Sequence, residues 1–429
     1  MPVRDHGRRS GDLVRYSWLT AAVVAAVTIS AFAGAGVAVA EPGPAPVGLQ
    51  ADLDLLIRAI GVPGAQLVVR GVGANAQIDS GVGDLATGAP FPDNAQVRIA
   101  SNTKTFVATV VLQLAAEHRV ELDAPIEQYL PGVVHGPGGD GHQITVRDLL
   151  QHTSGIPDYL AYLDLASVDR LQRPRPAAEL IRLGLDQPAV FAPRTSSGYS
   201  NTDFLLAGAL IERVTGVPVG VEVTRRIIIP LGLRDTYWPL FPLEHVIRAP
   251  HPRGYHAFDG ALVDITDIDP GWGLADGAMV ATGADLGRFF MALLSGELLP
   301  PAQLAEMQRT VPSGDPLRDA DFGLGLFRRI NACGIEIWSH GGAMNGFLVV
   351  NAATPARAVT RRHAQHEPAA RSAHHGDVSG GDEQRARRGL LRGLNPDELS
   401  ARLRKSSQVN ETQEALPVGG RCRRASQAA

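Results

Sequence analysis

Apolar residues recur at helical or strand spacing along most of the chain. Leu49–Ile60 carries them on one side of a helix and is followed by Gly61 and Pro63, which commonly end helices. The next apolar runs, residues 65–70 and 76–78, are short and are separated by glycines and an asparagine. This pattern predicts an amphipathic helix followed by the two strands of a β-hairpin.

A helix that is apolar nearly all round follows the hairpin. Residues 101–118 leave almost no polar face, which is typical of a buried helix. Mostly helical stretches, broken by Gly and Pro, fill the region of about 104–310, and strand patterns return at 320–350. Strands at about 49–100 and again at 320–350 predict one sheet that the chain leaves and rejoins, in an α/β (α+β) fold.

Composition and charge exclude several classes of protein. The 429 residues are 45% hydrophobic and 20% charged, which excludes collagen-like, mucin-like and wholly disordered chains. A net charge of −4 and a pI near 6.4 give no basic footprint for nucleic acid. The 2 cysteines are too few for a disulfide scaffold or a Cys-rich zinc site. Residues 41–355 form an acidic body with a net charge of −12, between the basic segments 1–40 (+2) and 356–429 (+6).

The first 40 residues have the layout of an export signal. Four arginines precede an uncharged run from Tyr16 to Ala40, which closes on the small-x-small sequence Ala38-Val39-Ala40. This order predicts a cleaved secretory signal peptide. Because the run has 25 residues, a membrane anchor is the alternative. Either way the body is predicted to be exported, as a secreted, periplasmic or cell-wall-associated protein.

Lys104 is the most informative residue of the sequence. The chain has 38 Arg and only 2 Lys, the other being Lys405 in the basic tail. A lysine pressed into an apolar site can lose its proton and an arginine cannot, so this position is predicted to need an amine. Ser101 lies three residues earlier, at the start of the predicted buried helix, which puts hydroxyl and amine on one face. The backbone N–H groups at a helix N-terminus also favour charge that develops on an attacked carbonyl.

Two later clusters add to this pair. Tyr199 and Asn201 lie just before a predicted helix, and His340 begins a His340-Gly341-Gly342 turn at the edge of a strand. A tyrosine between a serine and a lysine can have its phenol pKa lowered by the cation and can act as a general base. Taken alone, the tyrosine is typical of a turn and the histidine of a surface glycine loop.

Together these residues resemble the serine β-lactamase and penicillin-binding-protein superfamily. Its pattern is Ser-x-x-Lys, a Ser-x-Asn-type loop and a Lys-Thr-Gly-type strand. Tyr199-Ser200-Asn201 is similar to the Tyr-x-Asn form and His340-Gly341-Gly342 to the His-Thr-Gly form, as in the branch of class C β-lactamases, DD-carboxypeptidases and related esterases. Residues 149–156 also resemble that branch. The resemblance covers about residues 49–350 and implies an antiparallel sheet flanked by helices plus a mostly helical domain.

The resemblance implies catalytic roles for three residues. Ser101 would attack a carbonyl carbon and form an acyl-enzyme, with Lys104 and Tyr199 sharing its proton. Water would then release the acyl group. No metal or cofactor is implied.

The resemblance also implies the groups that hold the substrate. Asn201 would hydrogen-bond the substrate's side-chain amide, and His340 would lie over the site in place of the family's lysine. The oxyanion hole would consist of the backbone N–H groups of Ser101 and Ala343, next to Gly342.

A rival pair, His152 and Ser154, lies in the segment Gln151-His152-Thr153-Ser154-Gly155. A nucleophile elbow requires a glycine two residues before the serine, and His152 stands there instead. The segment is therefore interpreted as a structural turn.

The sequence departs from the family at two places. Gly341 replaces the threonine whose hydroxyl is thought to hold a peptide's terminal carboxylate, which leaves esterase or amidase chemistry open. Residues 351–429 contain no Phe, Tyr, Trp, Ile or Met, so a tail beginning near 350–355 is predicted to be disordered and the sheet to be incomplete. We interpret the tail as a product of a shifted reading frame; a genuine basic tail that binds anionic wall polymer is the alternative.

These observations predict an exported serine hydrolase, most similar to D-alanyl-D-alanine carboxypeptidases that act on peptidoglycan stem peptides. A β-lactamase or an esterase of the same fold is the alternative. A hypothesis of another class is a non-catalytic penicillin-binding-like protein, either a ligand-binding relative or the inactive product of a damaged gene.

Overall fold

The computed structural model describes residues 48–71, 75–240, 243–267, 274–313, 320–331 and 334–355, and the backbone of 357–364. The segment predicted to direct export, residues 1–40, lies outside these ranges, as does the tail beyond residue 364. Both predictions therefore stay predictions.

A nine-stranded antiparallel sheet forms one layer of the described structure. Its strands lie in this order, with β11 (Gly341–Met344) paired to β12: β2 (Ala76–Gly81), β1 (Gly64–Gly71), β13 (Arg357–Ala364), β12 (Phe347–Thr354), β10 (Glu336–Ser339), β9 (Phe327–Ile330), β8 (Asp321–Phe322) and β7 (Val311–Pro312). Two further pairs lie outside it: β3 (Val97–Arg98) with β6 (Val280–Ala281), and β4 (Tyr255–Phe258) with β5 (Ala261–Asp264). The chain leaves the large sheet after β2 and rejoins it at β7, which confirms the predicted fold class.

The predicted N-terminal helix and hairpin are both present. Helix α1 (Leu49–Ile60) ends at Gly61, whose φ of 70° is the left-handed conformation that glycine adopts most easily. Its buried residues Leu49 and Leu53 pack with Leu67 of β1 and Ile78 of β2 in a small core of their own. The apolar side of α1 therefore packs on β1 and β2.

Helix α2 (Thr103–Ala116) is the predicted buried helix and lies in the main core. A short 3₁₀ turn, Ala100–Asn102, precedes it. Phe106 of α2 stacks on Phe289 of helix α9 (Gly283–Leu294), with ring centroids 3.6 Å apart. Because α9 also packs on β1, β12 and β13, α2 connects the sheet to the helical region.

The helical region lies between the two parts of the sheet. Its other helices are α3 (Val146–Leu150), α4 (Val168–Leu171), α5 (Ala177–Leu185), α6 (Asn201–Thr215), α7 (Val219–Val223), α8 (Ile229–Leu231) and α10 (Pro301–Met307), with 3₁₀ turns at Ile126–Gln128 and Tyr159–Tyr162 and a π turn at Thr224–Ile228. Among the described residues no single helix is both long and apolar enough to cross a bilayer; the bent pair Asn201–Thr215 and Val219–Leu231 qualifies by length and composition only.

Strand β13 lies inside the segment that the sequence assigns to the tail. It pairs with β1 on one side and β12 on the other, so the sheet continues to Ala364 rather than ending near residue 355. The described sheet thus extends beyond residue 355, and the domain boundaries inferred from composition stay predictions. Backbone pairing with two well-formed neighbours extends the sheet here although the local sequence is poor in apolar residues.

Candidate active site

Ser101 lies on a strained turn at the start of α2. Ala100, the residue before it, has a φ of 45°, a left-handed conformation that costs a non-glycine residue about 1–2 kcal/mol. The turn is held from both sides, because the Ile99 N–H donates to the Met279 carbonyl at 2.9 Å and the Met279 N–H donates to the Thr103 hydroxyl at 3.1 Å. The strain and its supports fix a partly exposed serine side chain at the head of a buried helix.

Lys104 is fully buried one turn below Ser101. Its Nζ donates to Ser101 Oγ at 3.1 Å, to Asn201 Oδ1 at 2.6 Å and to the Asp276 carbonyl oxygen at 2.7 Å. Since an ammonium has three N–H donors, each of them has an acceptor. The predicted contact between Lys104, the only lysine of residues 41–355, and Ser101 is thus present. Asn201 contacts the same amine.

Tyr199 and His340 lie beside this group. The Tyr199 ring centroid lies 5.1 Å from Lys104 Nζ, and the ring is 6.3 Å from that of His340. The His340 Nδ1–H donates to the Gly341 carbonyl oxygen at 2.6 Å. Phe327 of β9 stacks on the His340 ring, with centroids 4.6 Å apart, and holds its orientation.

Gly342 brings β11 against the serine turn. A Cβ at this position would lie 2.1 Å from the Ile99 carbonyl oxygen and 2.9 Å from Asn102 Nδ2, so only glycine fits. The next residue, Ala343, is exposed. The structure therefore brings the predicted site residues of all three motifs into one cluster, while the catalytic and binding roles assigned to them stay predictions.

Three carboxyl groups near Lys104 were missed by the sequence analysis; Asp203 and Asp276 are buried and Asp158 is half-buried. Burial raises the pKa of Asp158, and raises that of Asp203 well above its usual range. Burial also raises the pKa of Asp276 to about 6, against the opposing attraction of Lys104. The Tyr159 hydroxyl donates to Asp276 Oδ2 at 3.0 Å. One buried ammonium is thus surrounded by several acids, and their protons determine the charge of the site.

Asn201 has a second contact that bears on its predicted role. Its Nδ2 donates to Asp158 Oδ1 at 3.2 Å and to Oδ2 at 3.0 Å, while its Oδ1 accepts from Lys104. Both ends of the amide therefore contact protein groups. In this arrangement Asn201 connects the amine to the Asp158 carboxyl, and substrate binding by the same amide stays a prediction.

The His152–Ser154 segment is structural, as interpreted from the sequence. Ser154 is buried, and its Oγ donates to Asp203 Oδ1 at 2.6 Å. The His152 ring contacts the other oxygen of that carboxyl at 3.2 Å and stacks beside Tyr199, with ring centroids 4.5 Å apart. This turn is buried and packs against the Tyr199 ring.

Comparison with known proteins agrees with this geometry. A family model described as Beta-lactamase matches residues 49–371. The chain is 35% identical over 164 residues to Esterase EstB of Burkholderia gladioli, over 36% of this chain and 41% of that protein. It is 28% identical over 240 residues to Penicillin-binding protein 4 of Amycolatopsis lactamdurans, over 56% of this chain and 61% of that protein. The matches thus span less than two thirds of either curated relative.

A solved structure matches over a greater length. The D-stereospecific amidohydrolase from Streptomyces sp. is 35% identical, with a TM-score of 0.68, over 73% of this chain and 93% of the amidohydrolase. The family match extends from the first helix into the C-terminal part of the sheet. The resemblance inferred from the three motifs is therefore confirmed.

Proposed function

The chain belongs to the Beta-lactamase family, a fold family of serine hydrolases that includes carboxypeptidases, an esterase and amidohydrolases, and on that premise we propose that it hydrolyses amide or ester bonds through an acyl-enzyme at Ser101. The observation that carries the proposal is the contact of a fully buried lysine amine with the Ser101 hydroxyl at 3.1 Å. Such a contact activates a serine, which is a weak nucleophile on its own.

The proton of the serine has a defined route in this site. When Lys104 has lost one proton, two N–H groups suffice for Asn201 Oδ1 and the Asp276 carbonyl, and the lone pair is directed at Ser101 Oγ. The hydroxyl proton passes to the Lys104 amine, which shares it with Tyr199, as Ser101 Oγ forms a bond to the carbonyl carbon of the substrate. It is then delivered to the leaving nitrogen or oxygen as the old bond breaks. A water molecule then attacks the acyl carbon, and its proton passes through the same groups to Ser101 Oγ as the bond between serine and acyl group breaks. The acid product leaves and the serine is restored.

Backbone N–H groups stabilise the negative charge that develops on the attacked carbonyl oxygen. Ser101 and Ala343 supply them, because Gly342 lets β11 approach the serine turn closely. Removing one donor of such an oxyanion hole typically costs about 2.7–4 kcal/mol of transition-state stabilisation.

The substrate we propose is a short peptide or amide with a D-configured residue, in first place the D-alanyl-D-alanine end of a wall stem peptide. The motif resemblance and the D-stereospecific amidohydrolase both support this class. Gly341, which lacks the hydroxyl expected to hold a terminal carboxylate, keeps D-amino-acid amides and esters as the second candidates. A Cβ there would meet only the Val349 carbonyl oxygen at 3.8 Å, so Gly341→Thr has room to add the missing hydroxyl.

Labelling with a fluorescent penicillin tests the acyl-enzyme. Wild type is expected to be labelled, Ser101→Ala is expected to lose the label, and the surface control Ser295→Ala is expected to keep it. Label that persists on Ser101→Ala contradicts the assignment of the nucleophile. Absence of label on folded wild type, together with no hydrolysis, favours an inactive relative with a damaged C-terminus.

Rates on four substrates then rank the chemistries: a D-Ala-D-Ala peptide, a D-amino-acid amide, a cephalosporin and a short-chain ester. We expect Gly341→Thr to increase the peptide rate relative to the ester rate. A panel in which the cephalosporin is turned over fastest identifies a β-lactamase instead.

Export is part of the proposal and rests on the sequence of residues 1–40. Expression of the full chain in a bacterial host, followed by fractionation, is expected to place it outside the cytoplasm. N-terminal sequencing that begins at Glu41 indicates cleavage, whereas an intact Met1 in the membrane fraction indicates an anchor. Retention of the intact chain in the cytoplasm contradicts export.

A further inference from the structure

Asn351 connects the two segments that carry the proposed oxyanion hole, although it belongs to none of the motifs in the sequence. It lies in the middle of β12, and its side chain is buried. Its Oδ1 accepts from the His340 N–H at 3.1 Å, and its Nδ2 donates to the His340 carbonyl oxygen at 2.5 Å. The same Nδ2 donates to Asn102 Oδ1, next to Ser101.

The strand register explains why an amide is suited to this place. Trp338 pairs with Ala353 and Gly341 with Val350, and in this register His340 stands opposite Asn351. The chain leaves β10 and enters β11 at His340, so the ladder is interrupted there. A side-chain amide has the same donor and acceptor types as a peptide group, and it satisfies both backbone groups of His340 at the break.

Asn102 completes the connection on the serine side. It is fully buried, and its Nδ2 donates to the Ile99 carbonyl oxygen at 3.0 Å. That carbonyl oxygen and that Nδ2 are the atoms against which Gly342 packs. The two amides and the glycine therefore form one packed unit between β11 and the turn that carries Ser101.

We propose that Asn351 is a positioning residue that sets the distance between the backbone N–H groups of Ser101 and Ala343. The inference rests on the proposed function, because it concerns the oxyanion hole of that reaction. An oxyanion hole works only when its donors lie about 2.7–3.1 Å from the oxyanion. A displacement of about 1 Å can cost about 10²-fold in rate. A side chain that never touches the substrate thereby controls the rate of acylation.

The test compares Asn351→Asp and Asn351→Ala in the full chain with the matched control Asn331→Asp, at the turn after β9. Aspartate keeps the acceptor for the His340 N–H but loses the donors to the His340 carbonyl and to Asn102. With active sites counted by titration, kcat on a short-chain ester is expected to fall about 10- to 100-fold in both variants while KM changes little. The affinity for a boronic acid, which forms a tetrahedral adduct on serine, is expected to fall by a similar factor.

A merely structural role would lower the melting temperature and the number of active sites without changing kcat per site. Folded Asn351 variants whose kcat and boronate affinity stay within about threefold of Asn331→Asp overturn the proposal. The double variant Asn102→Ala/Asn351→Ala is expected to have nearly the same kcat per site as the more damaging single variant. Each single change already breaks the hydrogen bond between these two side chains. Additive losses contradict the connection.

Hydrogen exchange separates this proposal from the proposed function. If wild type neither hydrolyses esters nor binds penicillin, the proposed function fails, and the exchange of segment 340–344 still tests the connection. Faster exchange there in Asn351→Asp than in Asn331→Asp, with helix α6 unchanged, is the expected result. Equal exchange in the two variants overturns the proposal.

Discussion

Asp276 gives a quantitative test of the buried charges around Lys104. Its carboxyl accepts hydrogen bonds from Tyr159 and from the Leu274 N–H, and its pKa is raised by burial from 3.8 to about 6. Since one pKa unit corresponds to about 1.36 kcal/mol, ionising this group in the folded protein costs about 3 kcal/mol. Asp276→Asn removes the titration while keeping the size of the side chain.

The direction of the pH dependence of stability follows from whether the folded or the unfolded chain holds the Asp276 proton. Between about pH 4 and pH 6 the unfolded chain has already released the Asp276 proton and the folded chain still binds it. The stabilisation from the protonated carboxyl is complete below the unfolded pKa of 3.8 and is lost as the pH rises through about 6. The free energy of unfolding of wild type, relative to Asp276→Asn, is therefore expected to decrease by about 2.4 kcal/mol between pH 4 and pH 7.5, because the unfolded carboxyl is already partly ionised at pH 4.

Urea denaturation followed by tryptophan fluorescence at half-unit pH steps measures this difference. Asp158 and Asp203 also have raised pKa values and add to the slope of both proteins, so the difference is the quantity that reports on Asp276. Asp169→Asn, on the exposed side of α4, controls for the loss of one surface charge. A difference that stays flat, or that increases with pH, refutes the assignment of a buried, protonated carboxyl beside the amine.

Two further substitutions test the cleft directly. Gly342→Ala is expected to lower ester hydrolysis about 10²-fold or more, because its Cβ would lie 2.1 Å from the Ile99 carbonyl oxygen. Gly341→Ala, which has room, should behave like wild type, and equal rates for the two variants would exclude close packing of β11 on the turn. Lys104→Arg is expected to slow penicillin acylation on the order of 10³-fold or more, since a guanidinium cannot take the Ser101 proton. Labelling at the wild-type rate would show that the amine is not the base.

The sequence predicted those parts of the fold and site that local patterns encode. Helix α1, the first hairpin and the buried α2 follow from apolar spacing alone. The Ser101–Lys104 pair was found because both groups carry recognisable chemistry at fixed spacing. These features need no knowledge of distant contacts.

The groups that support the site have no such signal. Asp276 stands in an Ala-Asp-Gly stretch that looks like an exposed turn, and Asn351 follows a run of apolar strand residues. Their importance arises from contacts with residues far away in the chain, because Asp276 lies 172 residues from Lys104 and Asn351 lies 249 residues from Asn102. Asp158 offered the best clue, because only Pro157 separates it from the segment 149–156 that resembles the family.

The register of strand β13 bears on where the hypothesised shift of reading frame would lie. It places Arg361 opposite Leu67 and Val350, and Arg362 opposite Val349 on one side. Strands are enriched in β-branched and aromatic residues such as Val, Ile and Thr. Residues 357–360 fit that pattern better than the Arg-Arg pair after them, so the frame-shift hypothesis now predicts a break near 360 rather than 350–355. Another frame of the gene should then encode a β-branched or apolar run from about 361 onward and a helix after it. A chain rebuilt in that frame should melt at a higher temperature; if neither alternative frame contains such a run, the basic tail is genuine.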